Sequence, residues 1–394
     1  MSIVITAKQL LRGSEIVEHP VVVIDDGRIT SICPRERTAL PFTGRLGVTL
    51  HEFPGATLVP SYLDIHVHGA AGHDFMLSDP SALHAVEIFL ASHGVGAFLP
   101  TTVTSSEEET LVALDRLADE IERGGPPDGA VPIGIHLEGP FLAHTKRGVH
   151  PAHLLAQPTV PLFERFWTAS RGHIRLLTIA PELEGSVEVI QHAIALGVRC
   201  SLGHSDATAK QARMGFHAGA RSATHTFNAM RGLGHREPGL AGYVLDNDDL
   251  FAEIICDGIH VDPAMVRLFF KAKGRERAIL ITDGISATGK PDGQYKLGDL
   301  EVSVKDGRCT LAGQPETLAG SVLTVDAAVR NFSIFTGEEI PMSVELATRN
   351  PAKLLDIEHE WGVLEEGREA NIAVLSASGQ VVQSFRAGRI LPGL

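Results

Sequence analysis

From about residue 59 onward the sequence alternates short apolar runs with longer amphipathic ones, and this alternation constrains the fold more than any other feature. Parallel strands need a crossover of a dozen or more residues between them, usually a helix, so the repeat implies a mainly parallel sheet. Eight runs have strand character: 57–66, 95–102, 131–138, 174–179, 198–203, 222–226, 252–257 and 278–283. Eight such units between residues 59 and 358 predict an α/β fold, a (β/α)8 TIM barrel. Helix signals fall between them. Ser78-Asp79-Pro80 supplies an N-cap and a first-turn proline ahead of Leu83, Val86, Phe89 and Leu90. Ser105 or Ser106 with Glu108 or Glu109 forms a capping box ahead of Leu111, Leu114, Ala118 and Ile121, and Asp262-Pro263 repeats the first device.

Both ends of the chain depart from the repeat. Residues 1–58 hold β-like runs broken by the turn Asp25-Asp26-Gly27, and strand character returns at Gly367–Leu375 and Val381–Ile390. The expectation is a small β-sandwich-like domain, 1–58 plus 359–394, beside a barrel domain at 59–358. Two stretches, the Pro/His-rich 139–160 and a β excursion at 284–318, each follow a strand and belong at the barrel mouth, where barrel enzymes build their sites.

Composition narrows the function classes. Apolar residues at 44% and charged residues at 21% describe a folded globular chain, and a net charge of −14 opposes phosphate backbones and anionic lipid. No nucleic-acid partner is expected, and no apolar run approaches the ~18 residues of a membrane span. The beginning lacks a basic-then-apolar leader, which together with Cys33, Cys200, Cys256 and Cys309 lying outside any Cys-x-x-Cys pair gives a cytoplasmic location as the expectation.

The informative residues are among the 19 histidines. His66 and His68, at i and i+2, share one face at the end of the first strand. At this histidine content about one such pair arises by chance, so context decides. Other ligand types recur at the same address: Glu138 ends strand three, His204 strand five, His225 strand six and Asp283 strand eight. An apolar barrel has no structural need for four imidazoles and two carboxylates at one rim. Such a donor set suits zinc first, with iron, manganese or cobalt as alternatives, one or two ions per chain. Asp283 is positioned to shuttle a proton between water and a leaving amine.

At these residues the chain resembles the amidohydrolase superfamily, through Leu58-Val59-Pro60-Ser61-Tyr62-Leu63-Asp64-Ile65-His66-Val67-His68-Gly69. Many of its binuclear members bridge two metals with a carbamylated lysine ending strand four. Leu177–Glu182 has none, and a glutamate ending strand three, here Glu138, is the alternative bridge. Within the superfamily the likeness narrows to the N-acetylglucosamine-6-phosphate deacetylase family. It is carried by His136–Phe141, Gly203–Ala207, Thr224–Met230, His235–Gly239, Asp257–His260, Ile281–Gly284 and Leu318–Ser321. The resemblance implies a main metal site of Glu138, His204 and His225, with His66 and His68 completing a second beside Asp283. It places a sugar phosphate against Asn228, the Ala229 backbone and Arg236, and Val149-His150 against the sugar. His260 falls beside the acetyl carbonyl or the phosphate, and Leu318-Ala319-Gly320 along the pocket. A homodimer is the implied assembly. Two departures stand out: Ser61-Tyr62 where Gly-Phe is common, and Arg231, where Pro is common, as an added cation or an altered mouth loop. Competing readings are an amidohydrolase for another N-acyl amine or a cyclic amide, and a non-catalytic scaffold, which ought to have lost ligands that this chain keeps.

Overall fold

The computed structural model describes residues 2–35, 47–77 and 79–393. Eight parallel strands follow one another in sequence order: Tyr62–Val67, Val95–Pro100, Ile135–Glu138, Ile174–Ile179, Arg199–Leu202, Ser222–Ala223, Phe251–Ile255 and Ala278–Ile281. Continuous ladders join the first to the second and the third through to the eighth. The second and third meet through Val131–Pro132 and a bridge between Thr101 and His136. The ring closes between the eighth and first, where Asp283 N donates to His66 O at 2.9 Å and His68 N to Gly284 O at 2.7 Å. Each strand is followed by a helix, from Pro80–Ser92 after the first to Val325–Thr336 after the eighth. Helices outside and side chains inside bury both faces of the strands, which is why these runs are apolar almost throughout. Among the described residues no helix is long and apolar enough to cross a membrane.

The helix signals act as expected with one refinement. The first N-cap is Asp79, whose carboxylate accepts from Ser81 N and Ala82 N, while Ser78 lies outside the described residues. Ser106 and Glu109 form a reciprocal capping box, and Gly124 closes that helix at φ 78°. Asp262 caps Pro263–Arg277.

The run 57–66 is two strands rather than one. Val48–Pro60 belongs to a small sheet, Tyr62–Val67 to the barrel, and the hydrogen bonds change owner at the joint: Ser61 N donates to Asn371 O, but Tyr62 N donates to Gly94 O. The small sheet has eight strands drawn from both ends of the chain. Val48–Pro60 pairs parallel with Ser2–Arg12 and antiparallel with Ile372–Leu375, around a core that includes Ile5, Leu10, Val22, Leu58, Ile372 and Phe385.

Both non-repeating stretches lie at the mouth. Residues 139–160 carry two short 3-10 turns, and 284–318 folds into an antiparallel meander of Gly293–Leu297, Leu300–Lys305, Arg308–Leu311 and Gln314–Leu318. Its apolar side, Leu297, Val302, Val304 and Cys309, packs with Val103 and Val149, so the meander forms a wall over the barrel opening.

Glu87, on the first helix, is buried with one carboxylate oxygen unpartnered. Burial, reinforced by the neighbouring Glu120 carboxylate, pushes it up to about 8. An acid raised above its ordinary value contributes stability below that ordinary value and loses it as pH rises through the folded one. Glu87→Gln should therefore be close to neutral near pH 5 and more stabilising at pH 9, by roughly 4 kcal/mol between the two, read from urea unfolding at the two pH values.

Candidate active site

The ends of strands one, three, five, six and eight converge on one carboxylate. Glu138 Oε1 faces His204 Nε2 and His225 Nε2, each at 3.3 Å, while Oε2 faces His68 Nε2 at 3.1 Å and His66 Nε2 at 3.4 Å. Asp283 Oδ1 completes the second side, 3.3 Å from His68 and 3.5 Å from His66. The donor atoms of His66, His68 and Asp283 lie within 4.8 Å of one another, as do those of Glu138, His204 and His225. All six residues are buried. Several ligands sit where the strand has just ended and the backbone turns left-handed, at φ 47° for His204, 29° for His225 and 50° for Asp283. Such backbone costs roughly 1–3 kcal/mol per residue and clusters at functional sites.

These groups fit divalent cations. His66 Nε2, in one group, and Glu138 Oε1, in the other, are buried without a hydrogen-bond partner, a costly state that a cation in each group would relieve. His204 donates from Nδ1 to Lys146 O at 2.9 Å, which leaves the lone pair of Nε2 facing Glu138. Imidazole and carboxylate donors without thiolate are the ligand types of zinc and its first-row neighbours. In the ion-free protein, burial opposes charge on His68, yet the Asp283 and Glu138 carboxylates raise it to about 9, and Glu138 and Asp283 raise His66 well above the ordinary range. Burial likewise opposes charge on the two carboxylates, but the facing imidazoles hold Glu138 and Asp283 below the usual carboxylate range.

The cleft above is lined by His68, Glu138, Val149, His150, His204, His225, Asn228, Ala229, His260, Asp283, Leu318 and Gly320 among the residues singled out from sequence. Ala319 does not line it; it is fully buried and its N–H donates to Cys309 O. Arg236 is exposed on the loop after strand six and does not line the cleft either. Arg231 is paired with Asp206 at 2.9 and 3.2 Å, so its charge is matched locally and it ties the loop after strand six to the one after strand five. His150 accepts at Nδ1 from Thr104 N–H at 3.2 Å, so its Nε2 carries the proton on the cleft side; burial, then His204, keep it neutral. His260 donates from Nδ1 to Asp257 at 2.6 Å, which leaves Nε2 free to accept.

Three supporting features were not read from the sequence. Glu253, in mid-strand seven, accepts from His66 Nδ1 at 3.1 Å. Asp64, two residues before His66, accepts from Thr282 Oγ1 at 2.6 Å, and burial pushes it up to about 6. Beneath the ligands His136 bonds Thr178 at 2.8 Å, Thr178 bonds Thr224 at 2.8 Å, and Thr224 donates to Ser201 at 2.7 Å. The available signal was a charge inside an otherwise apolar run, in Phe251-Ala252-Glu253-Ile254-Ile255, and the period-2 spacing of Asp64 and His66.

An eight-stranded barrel with two imidazole–carboxylate groups sharing one glutamate at its carboxyl-end mouth defines a metal-dependent hydrolase. Residues 57–391 match the amidohydrolase family, and the chain belongs to it. Over 390 residues, 99% of each chain, it is 37% identical to the N-acetylgalactosamine-6-phosphate deacetylase of Escherichia coli O157:H7. It is 33% identical over 386 residues to the N-acetylglucosamine-6-phosphate deacetylase of Vibrio furnissii, covering 98% of this chain and 94% of that one. Among solved structures, an aspartate-to-alanine variant of the N-acetyl-D-glucosamine-6-phosphate deacetylase of Mycobacterium smegmatis, in complex with N-acetyl-D-glucosamine-6-phosphate, superposes with a TM-score of 0.91 at 32% identity, over 99% of both chains.

Metal uptake should release protons, because His68 is protonated at neutral pH in the ion-free protein and must be neutral to ligate. Apparent affinity should rise with pH until about 9. Calorimetric titration of Zn²⁺ in two buffers of different ionisation enthalpy measures the proton count, and no release at pH 7 would contradict the expectation.

Proposed function

We propose that the protein hydrolyses the acetamide of N-acetylglucosamine 6-phosphate, giving glucosamine 6-phosphate and acetate. The observation that carries the reading is Asp283. Its side chain keeps 11% exposure, against 0–7% for the other five, so it is the more open of the two carboxylates that face the ligand cluster and line the cleft. Glu138, His204 and His225 would hold one divalent cation, and His66, His68 and Asp283 a second. A bound cation of this kind supplies Lewis acidity, polarising the acetyl carbonyl and acidifying water.

The residues of the chain supply the rest. Asp283 takes a proton from the attacking water and returns it to the departing nitrogen, since an amide anion is too poor a leaving group to depart unprotonated. His150 offers Nε2–H to an oxygen of the sugar. His260, steadied by Asp257, is placed to accept from or donate to the substrate at Nε2. Arg236 is assigned the phosphate, which a planar guanidinium grips through two hydrogen bonds. The reading extends to a cytoplasmic homodimer loaded with zinc, with iron, manganese or cobalt as the other ions that the donors accept. A second reading, the C4-epimeric N-acetylgalactosamine 6-phosphate, is favoured by the 37% identity to a deacetylase named for that sugar.

Steady-state hydrolysis of both phosphorylated sugars and of unphosphorylated N-acetylglucosamine tests the substrate. Similar kcat/KM with and without phosphate would reject the assignment. Asp283→Asn keeps the size and cannot relay the proton, so kcat should fall at least ~10²-fold, with substrate affinity preserved in a direct binding measurement. Arg236→Ala should raise KM for the phosphorylated sugar by roughly tenfold to hundredfold and leave the unphosphorylated sugar nearly unchanged.

A further inference from the structure

Glu253 sits in the middle of strand seven, fully buried, and the amide-cleavage scheme above does not use it. One of its oxygens serves two ligand-bearing strands: Oε2 accepts from His66 Nδ1 at 3.1 Å and from the backbone N–H of His225 at 3.3 Å. The other oxygen, Oε1, has no hydrogen-bond partner. An imidazole whose Nδ1–H is held by a carboxylate is fixed in one tautomer, turned in one direction, and made more basic at the opposite nitrogen. For His66 that opposite nitrogen is the one facing Glu138 and Asp283.

The other ligand rings are backed differently. His204 donates to a neutral carbonyl, that of Lys146, and Nδ1 of His68 and of His225 is buried without a partner. Glu253 is thus a carboxylate hydrogen-bonded to the back of a ligand ring, and that ring belongs to the second group.

We infer that Glu253 is a positioning residue for a second cation, orienting His66 so that His66, His68 and Asp283 hold an ion beside the one held by Glu138, His204 and His225. This rests on the metal-hydrolase reading and deepens it, since sequence left one and two ions equally open.

The test measures metal rather than turnover. Wild type and Glu253→Gln, stripped with chelator and reloaded with Zn²⁺, are compared by metal content after dialysis and by calorimetric titration. Wild type should retain two ions per chain and the variant one, with the weaker Kd raised about 10–100-fold and the tighter one shifted less than about threefold. If the amide variant is recovered unfolded, Glu253→Asp keeps the charge and withdraws it from His66 by one methylene, and the same selective loss is expected. Two ions bound as tightly in the variants as in wild type would overturn the inference, as would equal weakening of both ions, the mark of a general packing defect. One ion in wild type would overturn it and leave the hydrolase reading standing, whereas no ion in wild type would overturn both.

Discussion

The site depends on one carboxylate being shared. Glu138 ends strand three and turns one oxygen to the rings from strands five and six and the other to the rings from strand one. That sharing is possible only if the barrel closes, because strands one and three are neighbours of strand two while strands five and six lie further round the ring. Closure also brings Asp283 from strand eight against His66 and His68. Removing the charge of Glu138 would leave four buried imidazoles without the group that all of them face. Barrel closure and site assembly are in this sense one event.

The layer beneath the ligands shows how the fold supports so much polarity in its interior. Where an ordinary barrel layer would be filled by branched apolar side chains, His136, Thr178, Thr224 and Ser201 bond to one another, and Asp64 is satisfied by Thr282 and by the His66 N–H. Buried polar groups tied together in this way cost little and restrict the rings above them to few orientations. The mouth is closed in by the 284–318 meander, which contributes Leu297 and Leu318 to the cleft.

Much of this was legible in the sequence, for a definite reason. Barrel strands are apolar runs, so a polar residue that ends one is conspicuous, and Glu138, His204, His225 and Asp283 were all found that way. The same contrast worked for the caps at Ser106 and Asp262. It failed where contrast vanishes or where position is decided far away in the chain. Residues 57–66 read as one strand because both halves alternate alike, and only the partners, Asn371 for Ser61 and Gly94 for Tyr62, reveal two sheets. Glu253 is silent in the sequence because a single charge inside an apolar strand has no local meaning until His66 is placed against it. That Arg236 stands exposed and Arg231 is matched by Asp206 depends on how mouth loops fold, which no periodicity encodes.

The pairing of Val48–Pro60 with Ile372–Leu375 has a consequence for how the chain is made. A ribosome delivers the first of these strands more than three hundred residues before its partner. At about 5–20 residues per second the nascent chain therefore carries a half-finished sheet with an open edge for tens of seconds. Over the same interval the whole barrel emerges, and its first strand is continuous with the waiting one through Ser61. Completion of the small sheet therefore has to wait until every strand of the barrel has emerged. The step most exposed to intermolecular strand exchange thus follows the making of the barrel strands, at the edge that Ile372–Leu375 has yet to cover.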